Sequence, residues 1–158
     1  MHISTLIRLI WLIFPITTFA SDLTACANAC QTPLSYLLFD GSPASAGYYT
    51  LTCTNLLLVE STFLCMRYYC SEIEITKGLA YLDSTCQTYG AVEILPWSII
   101  DNITNDQALA WPHIEYADLY GPVPYDTPVF VSDELYTVSL RTNVGISPTF
   151  LTRSNAEY

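Results

Sequence analysis

The clearest hydrophobic periodicity in the chain lies between residues 71 and 90. Apolar side chains recur there at steps of four, three, four and three residues, at Ile75, Leu79, Leu82, Cys86 and Tyr89. This spacing places them on one face of an amphipathic helix. Ser71 and Glu74 have the spacing of a capping box, so we expect the helix to begin just after Ser71. Gly90 is expected to supply its C-terminal stop.

Two more helices are expected before this one. Residues 55–69 are rich in apolar side chains and lack both proline and glycine, which predicts a helix that carries Cys65 and ends near Cys70. Cys26 and Cys30 are four residues apart and would share one face of a first helix. The sequence therefore predicts a mainly α fold, a small disulfide-stapled domain of three to four helices.

Turn-forming residues separate the first two predicted helices. Residues 40–47 consist of Asp, Gly, Ser, Pro and Ala, which favour turns. Pro33 follows Cys30 closely and marks either a kink or the first turn of another short helix with Thr32 as its cap.

The second half of the chain is less regular, because prolines interrupt it at Pro96, Pro112, Pro122, Pro124, Pro128 and Pro148. Thr104 and Gln107 form another capping-box pattern, which predicts a short helix that stops before Pro112. Ser132 can cap a further helix that reaches Leu140. Only short helices are therefore expected in this half.

The first twenty residues have the pattern of a secretory signal peptide. Arg8 precedes an uncharged apolar run, and small residues before Ser21 predict cleavage between Ala20 and Ser21. An uncleaved membrane anchor is the alternative. The run is shorter than the roughly 20 apolar residues that span a bilayer, and Pro15 interrupts it, so we favour cleavage.

The chain is thus divided into a signal peptide at 1–20, a disulfide-linked helical core at 21–90 and a Pro-rich extension at 91–158 with a frayed C-terminus. All 15 acidic residues follow the signal peptide, where the basic residues are only Arg67, Lys77, Arg141 and Arg153. This negative charge makes nucleic acid a poor partner. No second apolar stretch is long enough to predict a transmembrane helix, and an acidic extracellular surface explains the charge as well.

Six cysteines follow the signal peptide, at Cys26, Cys30, Cys53, Cys65, Cys70 and Cys86. An even number of cysteines in a secreted chain indicates disulfide bonds. A structural zinc site would instead need close pairs of Cys or His ligands, which this spacing does not provide. Disulfides are therefore the favoured interpretation.

The predicted helices suggest which cysteines pair, although six cysteines allow 15 connectivities. Ser71 is the only hinge between the second and third helices, so these should fold back antiparallel. If the first helix also packs antiparallel to the second, the favoured bridges are Cys26–Cys70, Cys30–Cys65 and Cys53–Cys86.

Candidate catalytic chemistry is sparse. His113 is the only histidine after the signal peptide, and no nucleophile motif or phosphate-binding loop accompanies it, so a surface or packing role is expected. Glu72 and Glu74 could suggest a carboxylate pair or a cation site, but helix capping explains both. We expect no catalytic residue and no metal ligand in this chain.

Two further features of the sequence are its many tyrosines and a glycosylation sequon. The tyrosines, which include Tyr48, Tyr49, Tyr68, Tyr69 and Tyr81, are expected to pack in the core and at its rim rather than to form a ligand-binding set. The sequon Asn102-Ile103-Thr104 predicts N-glycosylation at Asn102.

A set of motifs runs from Ala25 to Leu140. It consists of Ala25 to Gln31 with two cysteines, Tyr48-Tyr49 before Cys53-Thr54-Asn55, Leu64-Cys65 before Tyr69-Cys70, Gly78 to Cys86, Tyr89-Gly90, and Ile99-Ile100 before the Asn102 sequon. Together, and above all in the order of the cysteines, they resemble the N-terminal extracellular region of fungal plasma-membrane ferric reductases.

The resemblance implies a place in iron uptake, either secreted or on the extracellular face of the plasma membrane. In that family, membrane helices with two haems and cytoplasmic FAD and NADPH domains carry electrons to ferric or cupric chelates. Those parts are not found in this sequence, so no cofactor is expected in this chain and it is not expected to be a reductase alone. Its expected partners are the membrane part of a ferric reductase or iron chelates. A truncated or partial family member is one interpretation, and a free-standing secreted Cys-rich helical protein that binds a partner or small ligand is the alternative.

Overall fold

The computed structural model describes residues 22–42 and 46–143. The predicted signal peptide, its cleavage site between Ala20 and Ser21, and the C-terminal residues expected to fray lie outside this part. Its α-helices are α1 (Ala25–Leu34), α2 (Tyr48–Thr54), α3 (Leu56–Tyr69), α4 (Glu72–Thr85), α5 (Asn105–Leu109) and α6 (Asp133–Asn143). A π-helical turn (Cys86–Gly90), two 3-10 turns (Trp97–Ile100 and Tyr116–Asp118) and two short strands, β1 (His113–Ile114) and β2 (Phe130–Val131), complete it. The mainly helical fold class is confirmed.

Helix α3 lies at the centre of the molecule. Its start is set by Asn55, whose side-chain oxygen accepts a hydrogen bond from the Leu58 backbone N–H at 3.1 Å. The Asn55 amide donates in turn to the Asp40 carbonyl oxygen at 3.0 Å and so ties the preceding loop to the helix. Phe63 and Met66 of α3 are fully buried among side chains from both halves of the chain. The hydrophobic core is therefore built around this helix.

Helices α1 and α4 approach each other at Gly78. A Cβ atom at this position would lie 2.5 Å from the Ala27 Cβ and 3.0 Å from the Met66 Cε. Side-chain carbon atoms do not normally approach so closely, so this contact requires glycine. Gly78 is buried in the middle of α4, where glycine otherwise weakens a helix by about 1 kcal/mol.

Three disulfides hold the helices together, between Cys26 and Cys70, Cys30 and Cys65, and Cys53 and Cys86. The paired Cα atoms are 5.6–5.8 Å apart. The first two bridges join α1 to the C-terminal end of α3, and the third joins α2 to the end of α4. These are the pairs favoured by the antiparallel order of the helices. Each bridge is expected to stabilise the fold by about 2–4 kcal/mol.

The second half of the chain packs on the same core. Strands β1 and β2 pair in parallel, and the backbone N–H of Val129 donates to the buried Ser61 hydroxyl of α3 at 2.9 Å. Helix α6 lies against α1. Ile114 and Val131 are fully buried in one cluster with the side chains of α1 and α3. The Pro-rich extension thus shares a core with the helical part that precedes residue 90.

Two local expectations differ from the structure. Pro33 lies inside the last turn of α1, which ends at Leu34, so no new helix starts there. Gly90 does not adopt the left-handed conformation of a helix stop. That conformation belongs to Ala91, with φ 51°, because the chain first passes through the π-helical turn. Gly90 instead serves a close approach, since a Cβ there would lie 3.3 Å from the backbone of Tyr49.

Candidate functional site: a tyrosine groove

A surface depression lies between α1, α2 and the end of α4. It encloses about 400 Å³, and we call it the tyrosine groove. Its aromatic wall consists of Tyr48, Tyr49, Tyr81 and Tyr89. Cys53 and Cys86, joined by a disulfide, lie at its floor and are almost fully buried. The groove is thus built on two helices that are covalently fixed to each other.

The aromatic wall keeps its rings partly in solvent. Tyr89 is 66% exposed and stacks on Tyr49 with ring centroids 5.0 Å apart and an interplanar angle of 27°. Tyr48 meets Tyr49 edge to face at 5.1 Å. Such pairs stabilise one another by about 0.5–1.5 kcal/mol beyond the area that they bury. The rings therefore have defined positions although they are not part of the core.

The π-helical turn puts Tyr89 in this position. The period of α4 would place Tyr89 on the buried stripe with Leu82 and Cys86, but the wider π turn rotates it out of that stripe. The turn ends at Ala91, whose positive φ is costly for a residue with a Cβ. Two unfavourable backbone features therefore border the groove, as is common at functional sites.

The rest of the lining is neutral and polar. Asn28 and Gln31 of α1 are half-buried, and their side-chain amides form no hydrogen bond with the other residues that the structure describes. The Thr52 hydroxyl donates to the Tyr49 carbonyl oxygen at 3.0 Å, and the Thr85 hydroxyl to that of Tyr81 at 2.9 Å. Among the described lining residues none is charged.

A second group of tyrosines has a packing role. Tyr69 and Tyr136 stack almost in parallel, with centroids 4.0 Å apart, and so fasten α3 to α6. The Tyr69 hydroxyl donates to the Asp133 carboxylate at 2.6 Å. Burial, reinforced by Asp133, raises the pKa of Tyr69 far above 10. The Tyr136 hydroxyl donates to the sulfur of Cys26 at 3.1 Å, because a disulfide sulfur has no proton to give.

The tyrosines named from the sequence therefore have two different roles. Tyr68 and Tyr69 pack against Phe130, as expected for core and rim residues. Tyr48, Tyr49 and Tyr81 line the groove instead. Sequence reasoning missed the groove because it did not predict α2, which carries Tyr48 and Tyr49 to the end of α4. The Tyr48-Tyr49 pair next to the turn-forming run was the available signal.

The other candidate residues lie apart from one another. His113 is exposed, donates through Nε2 to the Leu109 carbonyl oxygen at 3.0 Å and packs on Phe130. Glu74 accepts hydrogen bonds from the Ser71 backbone N–H and hydroxyl at 2.8 and 2.6 Å, as expected for a helix cap. Asn102 is exposed in a turn, and its glycosylation stays a prediction.

The part of the chain that the structure describes, residues 22–42 and 46–143, contains neither a metal-binding cluster nor a membrane-spanning helix. In this part, no group of three His, Cys, Asp or Glu side chains is placed to hold a metal ion. No helix there is both long enough and apolar enough to cross a membrane. In comparisons with known proteins, no family model, curated protein or solved structure matches the chain.

Proposed function

We propose that this chain is a non-catalytic extracellular domain of the kind that precedes the membrane part of ferric and cupric reductases in iron uptake. The observation that supports the proposal is that the cysteines, Asn55 and Gly78, which belong to the motifs of the resemblance, build the fold. The six cysteines form the three bridges, Asn55 caps α3 and holds the loop at Asp40, and Gly78 permits the contact between α1 and α4.

A structural role also fits the way in which interior polar groups are used. The Ser61 hydroxyl donates to the Leu57 carbonyl oxygen at 2.6 Å and accepts from Val129. The Tyr69 hydroxyl lies 3.0 Å from the Val131 carbonyl oxygen and also binds Asp133. These groups join α3 to the second half of the chain.

The proposal is tested by exchanging domains. A ferric reductase is expressed in cells in three forms: intact, without its extracellular N-terminal region, and with residues 21–143 of this chain in that place. Surface ferric-chelate reduction is measured per molecule displayed. We expect the deletion to lower chelate reduction and the exchanged domain to restore it. The same exchange with Gly78→Leu, which disrupts the contact between α1 and α4, should not restore it.

Two results would argue against this function. One is an exchanged reductase that reaches the surface as well as the intact enzyme but reduces no more chelate than the deletion. The other is ferric-chelate reduction by the purified chain with NADPH. Calorimetry and absorbance titration with ferric citrate and haemin show whether the domain has a purely structural role or itself recognises iron or haem. Only a domain that recognises them binds them saturably at micromolar concentration.

A second candidate function is that of a free-standing secreted protein that binds a partner or small ligand. The observation in its favour is the tyrosine groove, whose exposed rings and half-buried amides are not part of the buried core. The reading frame downstream separates the two candidates, because an intact frame that encodes membrane helices supports the reductase domain.

A further inference from the structure

We infer that the tyrosine groove binds neutral carbohydrate, with sugar rings seated against Tyr49 and Tyr89 and sugar hydroxyls bonded to Asn28 and Gln31. The inference holds for either candidate function, because it depends only on the groove.

The aromatic wall is suited to the face of a sugar ring. The π face of an aromatic ring carries negative potential, and one face of a pyranose presents several C–H groups with positive potential. Tyr49 and Tyr89 offer partly exposed rings that are stacked on each other, and the Tyr48 ring lies perpendicular to that of Tyr49. A flat, weakly polar ring ligand can therefore cover aromatic surface that is otherwise left in water.

The polar wall is suited to hydroxyl groups. An Asn or Gln side chain supplies two N–H donors and a carbonyl acceptor, so it can serve neighbouring hydroxyls that both donate and accept. Asn28 and Gln31 are three residues apart on α1 and face the same groove. They are half-buried, and within the described part of the chain their amides are not engaged with protein groups. Water is expected to occupy these sites until a ligand replaces it.

The charge of the groove selects a neutral ligand. The sequence contains 15 acidic residues, yet none of the described residues that line the groove is acidic or basic. A bound anion or cation would lose hydration without gaining an ion pair, whereas a neutral sugar exchanges hydrogen bonds with water for hydrogen bonds with amides. The volume of about 400 Å³ lies within the range of about 300–1,000 Å³ typical of small-molecule sites.

The groove is also fixed before any ligand arrives. The Cys53–Cys86 bridge joins α2 to the end of α4, which carry the aromatic wall, and the close contact of Gly90 with the backbone of Tyr49 sets the distance between α2 and the π-helical turn. A preformed site loses little conformational entropy on binding. This compensates in part for the modest strength of single sugar–aromatic contacts.

The test uses the purified secreted chain with its disulfides intact. The probes are four neutral hexasaccharides, of β-1,4-glucose, β-1,3-glucose, β-1,4-N-acetylglucosamine and α-1,6-mannose, together with a ten-residue polyproline peptide, because aromatic grooves also bind polyproline helices. Binding is measured by calorimetry and by saturation-transfer NMR, which reports which sugar protons touch the protein. We expect at least one hexasaccharide to bind with a Kd of about 1 mM or tighter, with transfer strongest to its ring C–H groups.

Variants locate the binding. Tyr89→Ala should weaken the hexasaccharide by about tenfold, and Gln31→Ala by about two- to tenfold. Tyr89→Phe keeps the ring and should bind almost like the unchanged chain. Tyr116→Ala is the matched control, because Tyr116 is an equally exposed tyrosine outside the groove. Near-ultraviolet circular dichroism checks that each variant is folded.

Three outcomes would overturn the inference. They are the absence of binding by all four hexasaccharides, binding that Tyr89→Ala and Gln31→Ala leave unchanged, and tighter binding of the polyproline peptide than of any sugar. Because NMR transfer is measured on the unchanged chain, the first outcome is decisive even if a variant fails to fold. The reductase exchange experiment does not depend on any of them.

Discussion

Replacing Gly78 by alanine tests the packing on which the fold is centred. The added methyl carbon would lie 2.5 Å from the Ala27 Cβ and 3.0 Å from the Met66 Cε, whereas carbon atoms in van der Waals contact are about 3.5–4.0 Å apart. Ala27 and Met66 are both fully buried, so neither can turn into solvent. The helices must separate or the side chains must leave their preferred rotamers.

The size of the effect follows from two opposing terms. Overpacking a core by one methyl group costs about 1–3 kcal/mol. Alanine in place of glycine inside a helix stabilises the helix by about 0.8–1.0 kcal/mol. The cost is expected near its upper limit, because the Cys26–Cys70 and Cys30–Cys65 bridges restrain α1 from moving away. Gly78→Ala should therefore lower the free energy of unfolding by about 1–2 kcal/mol, or the melting temperature by about 4–8 °C.

The assay is urea unfolding of the oxidised protein at pH 7, followed by far-ultraviolet circular dichroism. Ala80→Gly in the exposed face of α4 is the matched control, because it measures the helix term alone and should cost about 1 kcal/mol. Adding Ala27→Gly to Gly78→Ala removes the closer of the two contacts and leaves the one with Met66, so the double-mutant cycle should show a favourable coupling of about 1 kcal/mol. If Gly78→Ala instead stabilises the protein by as much as Ala80→Gly destabilises it, the close contact between α1 and α4 is not a constraint.

Three further predictions concern single side chains. Asn55→Ala removes both the helix cap and the hydrogen bond to the Asp40 carbonyl oxygen, and it should lower the free energy of unfolding by about 2–3 kcal/mol. Asn55→Asp keeps the oxygen that caps the helix and should lower it by less in the same urea assay. Burial raises the pKa of Tyr69, so above about pH 10 the folded state keeps a phenol proton that the unfolded chain releases. The contribution of Tyr69 to the free energy of unfolding should therefore be constant below that pH and decrease above it by up to about 1.4 kcal/mol per pH unit. The stability of Tyr69→Phe should decrease less steeply over the same range. Burial also raises the pKa of Glu60, so stability should fall as the pH rises above the ordinary glutamate pKa; Glu60→Gln should stabilise the protein at pH 7 but not at pH 3, and a gain that persists at pH 3 would contradict this.

Local signals in the sequence predicted much of the fold because their physical cause is local. The capping-box residues Ser71 and Thr104 precede α4 and α5, and Gln107 completes the second box through reciprocal hydrogen bonds of 2.8 and 3.2 Å with Thr104. The helix predicted at 55–69 corresponds to α3. The disulfide pairs that the predicted helix order favoured, among 15 possible connectivities, are the pairs in the structure.

Long-range packing was not accessible in the same way. The parallel pairing of β1 with β2 depends on Val129 reaching Ser61, which is 68 residues away in the chain. The stack of Tyr69 on Tyr136 depends on the same return of the chain. A pattern of prolines predicts irregular structure, but it does not predict which part of the molecule that structure packs against. The second half was therefore predicted to be an extension, although its side chains complete the hydrophobic core.

Helix α4, which has the clearest hydrophobic period in the sequence, also shows where that period no longer predicts burial. Four of its five stripe positions are buried or half-buried, but Tyr89 is exposed, because α4 gives way to a π turn after Thr85. The helical period would keep Tyr89 on the stripe, whereas the chain contains a π turn and a left-handed Ala91 at this point. Local conflicts of this kind are expected where a side chain is placed for recognition rather than for stability. The carbohydrate titration tests whether the position of Tyr89 over Tyr49, in the same groove as the Asn28 and Gln31 amides, serves recognition.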